Sequence, residues 1–313
     1  MLTTKRLSVV FLLAWLCLSL AGCGRTEQRP REPAGDEPVI TLYVNETGEK
    51  KQIKIEKYIK GVVAAEMEPT WPIEALAAQA ILARTFTLER METTNGVEKY
   101  GTDASTNVEE FQAYNPERIN ENVVKAVEST RGKVVKYQGK YIKAWFFSDG
   151  GGKTAASAEE GLAYKKEPSP YVHSVADPGS EITTEENKGW EARFPLAVVR
   201  EKVKEITGTD PGAITQAKIT QKGPSGRVME VQLGKVTVSG PALRLALGSE
   251  KMRSTLLTGF SISGGNLVVS GKGFGHGVGM SQWGARAMAE QGKTAEEIIR
   301  YFFKDVEITQ EWK

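Results

Sequence analysis

Cysteine is nearly missing from this chain of 313 residues. Its only two, Cys17 and Cys23, lie close to the N-terminus, so the body has no thiol at all. That excludes a disulfide framework and a cysteine-ligated zinc site. Histidine is as scarce. His173 and His276 are the only two, which excludes a three-histidine metal centre. No metal and no cofactor are expected. Charge of one sign is missing too. The chain has 41 basic and 39 acidic side chains, a formal net charge of +2. A nucleic-acid binder usually carries a clear basic excess, so no nucleic-acid partner is expected. No internal repeat is present. No apolar run reaches the roughly 20 residues of a membrane-spanning helix.

What is there begins with a targeting segment. Lys5 and Arg6 precede an uncharged apolar run, Leu7 to Gly22. A basic start followed by a short apolar run has the form of a secretory signal. Its end, Leu20-Ala21-Gly22-Cys23-Gly24, resembles the lipobox of bacterial lipoproteins. That resemblance implies cleavage before Cys23 and diacylglycerol on its sulfur. An uncleaved signal anchor is the alternative, and either places the body outside the cytoplasm. Two acyl chains hold a protein on a membrane where one is marginal. Residues 1–23 are read as the signal and 24–38 as a polar, proline-containing tether.

The body mixes strand and helix signals, which predicts an α+β fold. Val39 to Ile55 alternates about Asn45-Glu46-Thr47-Gly48 and reads as a hairpin. Ile55, Ile59, Val62, Val63 and Glu66 recur at helical spacing. A second, alanine-rich helix starts near Pro72, a residue favoured in a first turn. Residues 93–115 read as loop and 120–129 as a short helix. Lys133 to Phe147 reads as a hairpin about Gln138-Gly139. From 177 to 265 the texture changes to a strand at Trp190, a helix from Pro195, a hairpin in RVMEVQLGKVTVSG and a short helix in GPALRLALG. This stretch is expected to be a smaller inserted α/β subdomain. Thr294 and Glu297 have capping-box spacing.

Four segments carry unusual residue choices. In the first, Glu66 ends an apolar helical stripe. A carboxyl in a dry place holds its proton toward neutrality and can act as a general acid. A helix cap, or a pair with Arg84, is the other reading. In the second, TDASTNVEEFQAY, Gln112 and Tyr114 suit sugar hydroxyls or simply tie down a loop. In the third, FFSDGGGKT, Ser148 to Gly151 lead a run of glycines that asks for a sharp turn or a close backbone approach. It lacks P-loop spacing, and an exported protein has no nucleotide supply. In the fourth, GFGHGVGMSQWGA, His276 sits between glycines, followed by Ser281 and Gln282. No nucleophile-elbow pattern surrounds the serine. His276 reads as a sugar-positioning group or as part of a structural turn.

Taken in order, these segments resemble the stage II sporulation protein D family, which includes the amidase-enhancer proteins. YIKGVVAAEM, WPIEALAAQAILARTF and GFGHGVGMSQWGA carry most of the likeness, which spans residues 39–309. It implies several antiparallel hairpins and a few helices forming a glycan-binding cleft. It implies a lytic transglycosylase that cuts peptidoglycan glycan strands freed of their stem peptides, with stage II sporulation proteins P and M as partners. It implies that Glu66 is the catalytic acid. Arg84, Gln112, Tyr114, Ser148, Gly151, His276 and Gln282 would bind substrate. A non-catalytic, glycan-binding enhancer of an amidase is the competing expectation. Glu68 stands where the family has proline, and Asp149 where serine is common. A zinc cluster of some relatives is represented here only by His173, so no such zinc is expected. The two long motifs are far apart in sequence and should converge on one cleft.

Overall fold

The computed structural model describes residues 35–108 and 110–313. Cys23, its lipobox and most of the tether lie outside the described residues. Among those described, no helix is long and apolar enough to cross a membrane.

The fold is α+β. Strands β1 (Val39–Val44) and β2 (Glu49–Lys54) form an antiparallel hairpin. Period-two alternation turns Ile40 and Leu42 inward, both fully buried. β2 runs straight into α1 (Ile55–Glu66). Tyr58, Ile59, Val62 and Val63 of α1 are wholly buried against α2 (Ile73–Thr94). Each such aliphatic burial contributes about 1.5–3 kcal/mol. α2 is 22 residues long and buried on most sides. Ala75, Ala78, Ala80 and Ala83 keep its surface thin, so α1, α3 (Glu121–Ser129) and later elements can approach closely. A short β3 (Ala104–Ser105) joins β1 in parallel.

β4 (Lys133–Tyr137) and β5 (Lys140–Tyr141) make a hairpin about Gln138 and Gly139, both at positive φ. Here the structure corrects the sequence reading. The hairpin stops at Tyr141. Phe146–Phe147 form β6, which pairs in parallel with Met280–Ser281 far along the chain. α4 (Ala158–Leu162) and α5 (Glu185–Lys188) follow as short helices.

A second core is built from Trp190 to Val269. β7 (Trp190–Pro195) leads into α6 (Leu196–Thr207). β8 (Ala217–Lys222), β9 (Val228–Leu233) and β10 (Val236–Ser239) form a meander, capped by α7 (Gly240–Leu247). β11 (Leu257–Ser263) and β12 (Asn266–Gly271) close back on β7. The chain then returns to the first core through β13 (Met280–Ser281), α8 (Gln282–Glu290), α9 (Ala295–Phe302) and β14 (Glu307–Gln310), which pairs with β4. Thr294 and Glu297 form the capping box at α9. β13 next to β6 delivers the start of α8 to the side of α2.

Candidate active site

α1 ends where the sequence makes it end. Glu68 precedes Pro69, and a residue before proline is pushed out of the helical region. Met67 is already extended, which leaves Glu66 as the last helical residue. Its side chain is half-buried. Oε1 accepts the Ala113 N–H at 2.8 Å. The Gln282 carboxamide donates to the same carboxyl. Burial outweighs both donors and pushes the Glu66 carboxyl up to about 7. The negative end of the α1 dipole acts in the same direction. Both donors are neutral. Glu66 therefore keeps its proton toward neutral pH.

Carboxamides and aromatic rings surround this carboxyl. Gln282 Nε2 also reaches Gln79 Oε1 of α2 at 3.5 Å. Gln112 is buried and donates to Thr87 Oγ1 at 3.1 Å, with its carboxamide beside the Tyr58 hydroxyl. Tyr114 stacks on Tyr58 with centroids 5.5 Å apart. Gly61 of α1 makes that possible, since a Cβ there would lie 2.3 Å from the Tyr114 ring. On the outer side Trp71 meets Trp283 at 4.8 Å and 60°. The Arg286 guanidinium lies 5.3 Å from one ring and 5.1 Å from the other. Trp71, Pro72, Ile73, Asn122 and Arg286 line a cavity of about 490 Å³. Glu66 is not among its lining residues.

The comparisons with known proteins agree on one group. A family model described as stage II sporulation protein matches residues 43–137, and a domain of unknown function matches residues 177–279. Stage II sporulation protein D of Bacillus subtilis strain 168 is 31% identical over 292 residues, covering 87% of this chain and 79% of that protein. The chain belongs to the stage II sporulation protein D family. The protein of the same name in Bacillus amyloliquefaciens is 30% identical over 91% of this chain and 85% of its own. The amidase enhancer of Bacillus subtilis strain 168 is 29% identical over 80% of this chain and 40% of its own length.

Within this family frame the structure sorts the expected site residues. The two long motifs do converge, but through Gln282 rather than His276. Glu66, Gln112, Tyr114 and Gln282 gather in one place, while four other expected ligand-binding residues sit elsewhere. Arg84 is a correction. It is fully buried and binds Glu56, with Nε and a terminal nitrogen at 3.0 and 2.7 Å from the two carboxylate oxygens. Its remaining terminal nitrogen donates to the Lys133 carbonyl at 2.8 Å, so each guanidinium nitrogen has a partner inside the core. His276 is another correction. Nδ1 accepts the Val278 N–H at 3.1 Å, and the other ring nitrogen bonds the Phe146 backbone. Burial, with Arg244 and Arg227 nearby, pushes the ring down to about 3. It is a neutral pin in the glycine loop and no proton carrier at neutral pH.

Gly151 is likewise structural. A Cβ there would lie 2.9 to 3.1 Å from Leu256 and the Lys272–Gly273 backbone, so the close approach is to the chain itself. The glycine run is a seam between the two cores. Arg227 of the second core donates to the Gly150 and Lys153 carbonyls at 2.9 and 2.8 Å. Ser148 uses its carbonyl, which accepts from Trp283 N–H and the Ser281 hydroxyl. Glu68 is exposed and bonds Arg118 at 2.8 Å, away from Glu66. Asp149 is buried, and burial with Asp177 beside it pushes its carboxyl up to about 6.

Sequence reasoning missed Ala113 and Gln79. A backbone N–H has no sequence signal. Gln79 had one, as the lone carboxamide in the apolar stretch Ala75 to Ala83.

Proposed function

We propose that this protein is a lytic transglycosylase that cleaves the bond between N-acetylmuramic acid and N-acetylglucosamine in peptidoglycan strands freed of stem peptides. The observation that carries the reading is the lone Glu66 carboxyl at the end of α1, half-buried and bonded only by neutral donors, a setting that pushes it up to about 7. Ordinary glycosidases need a second carboxylate as nucleophile or base. A lytic transglycosylase works with one. Glu66 gives its proton to the glycosidic oxygen, and the bond from that oxygen to the anomeric carbon breaks. The sugar's own 6-hydroxyl oxygen bonds to the anomeric carbon, and its proton passes to the Glu66 carboxylate. The acid is regenerated and the product carries a 1,6-anhydro ring. Ala113 N–H and Gln282 stabilise the carboxylate between the two transfers. That is electrostatic help of moderate size, because both donors are already in place. Membership of a sporulation family supports a role in wall remodelling. Anchoring through Cys23 and work beside stage II sporulation proteins P and M belong to the same proposal.

The similarity to an amidase enhancer supports a second reading, in which the protein holds glycan and stimulates an amidase without cutting. Digestion of intact and amidase-treated peptidoglycan by residues 25–313, with mass spectrometry of the products, separates the two. Anhydro-ended fragments that disappear in Glu66→Gln establish the transglycosylase. Glycan binding without cleavage in both proteins establishes the enhancer.

A further inference from the structure

A second cavity, of about 400 Å³, opens among Phe86, Arg90, Glu110, Trp145 and Tyr164. The loop before Ala113 and helix α2 both run on into it. The loop that gives the Ala113 N–H to the carboxyl enters the cavity wall at Glu110. Helix α2 reaches Gln282 through Gln79, then places Phe86 two turns on, roughly 10 Å further along the axis. Trp145 accepts the Met280 N–H at 3.1 Å, beside the start of α8. Along α2, Pro72 and Ile73 line the Trp71 opening, Gln79 reaches Gln282, and Phe86 and Arg90 line this cavity, so the helix carries Gln79 between the two openings.

The chemistry of the lining is specific. Trp145 and Tyr164 meet edge to face at 5.3 Å, and Phe86 packs on Phe111 at 5.1 Å. Lys143 is fixed between Glu89 at 2.6 Å and Glu167 at 2.7 Å. Two buried polar atoms of the lining have no partner among the described residues. They are Arg90 Nε, a donor, and Glu110 Oε2, an acceptor. Buried polar atoms normally find partners. The acidic side chains Glu89, Glu110 and Glu167 balance the basic Arg90, Lys143 and Lys166, which favours a neutral ligand over a phosphate or an acidic peptide. A neutral ligand with an apolar face for aromatic rings, and donors and acceptors at its rim, is a pyranose with an acetamido group.

We propose that this cavity binds N-acetylhexosamine units remote from the scissile bond, so that a polysaccharide strand is gripped on both sides of Glu66 and cut internally. The proposal rests on Glu66 marking the reacting centre. The test is calorimetric titration of Glu66→Gln with chitin oligosaccharides of two to six units. The expected result is a hexasaccharide bound about ten-fold tighter than the trisaccharide, a step of roughly 1.4 kcal/mol. Trp145→Ala and Arg90→Ala, each placed on the Glu66→Gln background, should remove that gain and leave the trisaccharide affinity unchanged. Thermal melts check their folding. If Trp145→Ala does not fold, the Arg90 variant decides. Affinity that does not rise with length, or that rises equally in a folded Arg90→Ala, overturns the proposal. So does release of only terminal fragments from long strands by the wild type. Length-dependent binding without any wild-type cleavage would sink the transglycosylase and leave the pocket standing. Anhydro-ended products without the length effect would do the reverse.

Discussion

Helix α1 buries a carboxyl at each end, and the two have opposite surroundings. Glu56, in the first turn, receives Arg84 on both oxygens, the Gly132 N–H at 2.9 Å and the Trp312 indole N–H at 2.9 Å. Glu66, in the last turn, receives an amide N–H and a carboxamide. The first joins α1, α2, β4 and the C-terminal tail through a fixed charge. The second has no cation and keeps its proton toward neutrality. What separates a structural carboxylate from a chemical one here is the charge of its donors, with Glu56 buried and Glu66 half-buried.

The sharpest way to break this comparison is to remove the cation. Arg84→Ala leaves Glu56 charged and buried, which should destabilise the protein by as much as roughly 5 kcal/mol in denaturant unfolding. A loss under about 1 kcal/mol would place the pair with exposed ion pairs and remove the contrast. At the other end, Glu66→Gln should lower the rate of glycan cleavage by about three powers of ten, within the range of a lost general acid. Its melting temperature at pH 4 should match wild type, because there the acid is protonated in both the folded and the unfolded chain. A variant that cuts normally would return Glu66 to a structural role.

Much of this was readable beforehand. α1, α2, α6 and the β9–β10 hairpin follow from residue periodicity, and α9 from its capping box, because each is stabilised by neighbours a few residues away. β6 was misread. Its partner is β13, and a parallel pairing across that separation leaves no local pattern. The site was half legible for the same reason. Glu66 could be found because it ends an apolar stripe. Arg84 was expected to bind substrate, with a pair to Glu66 as the other reading; its partner is Glu56, and periodicity places both carboxylates on α1 without saying which faces α2. Flanking glycines left His276 open between a sugar-positioning group and part of a structural turn. Gly275 and Gly277 take positive φ, and the half-buried ring lies against Phe147 with centroids 5.6 Å apart.

The raised Glu66 carboxyl sets a pH dependence whose sign follows from its position. Its folded value of about 7 lies above the ordinary 4.5, so folding favours the protonated form. That contribution is fully present below pH 4.5 and is lost as pH rises through 7. Glu66→Gln has no proton to lose. The variant should therefore gain on wild type as pH rises from 4 to 8, by up to about 3 kcal/mol, and the gap should close in acid. Stability curves that run parallel over that range would mean the carboxyl titrates as in water.

The smallest effect tests the neutral donors themselves. Gln282 favours the charged carboxylate, so Gln282→Ala should push the Glu66 carboxyl above about 7. A neutral hydrogen bond contributes about 1 kcal/mol, which corresponds to somewhat under one pH unit. In kcat/KM the limb that falls with rising pH reports the loss of the Glu66 proton. It should move to higher pH in Gln282→Ala. In Glu68→Gln it should stay where the wild type has it, since Glu68 faces Arg118 in solvent. A limb that moves down in Gln282→Ala would mean that water entering the space left by the side chain outweighs the lost donor. A limb that moves in Glu68→Gln would add a charge to the surroundings of Glu66, and the contrast with Glu56 would then be one of degree.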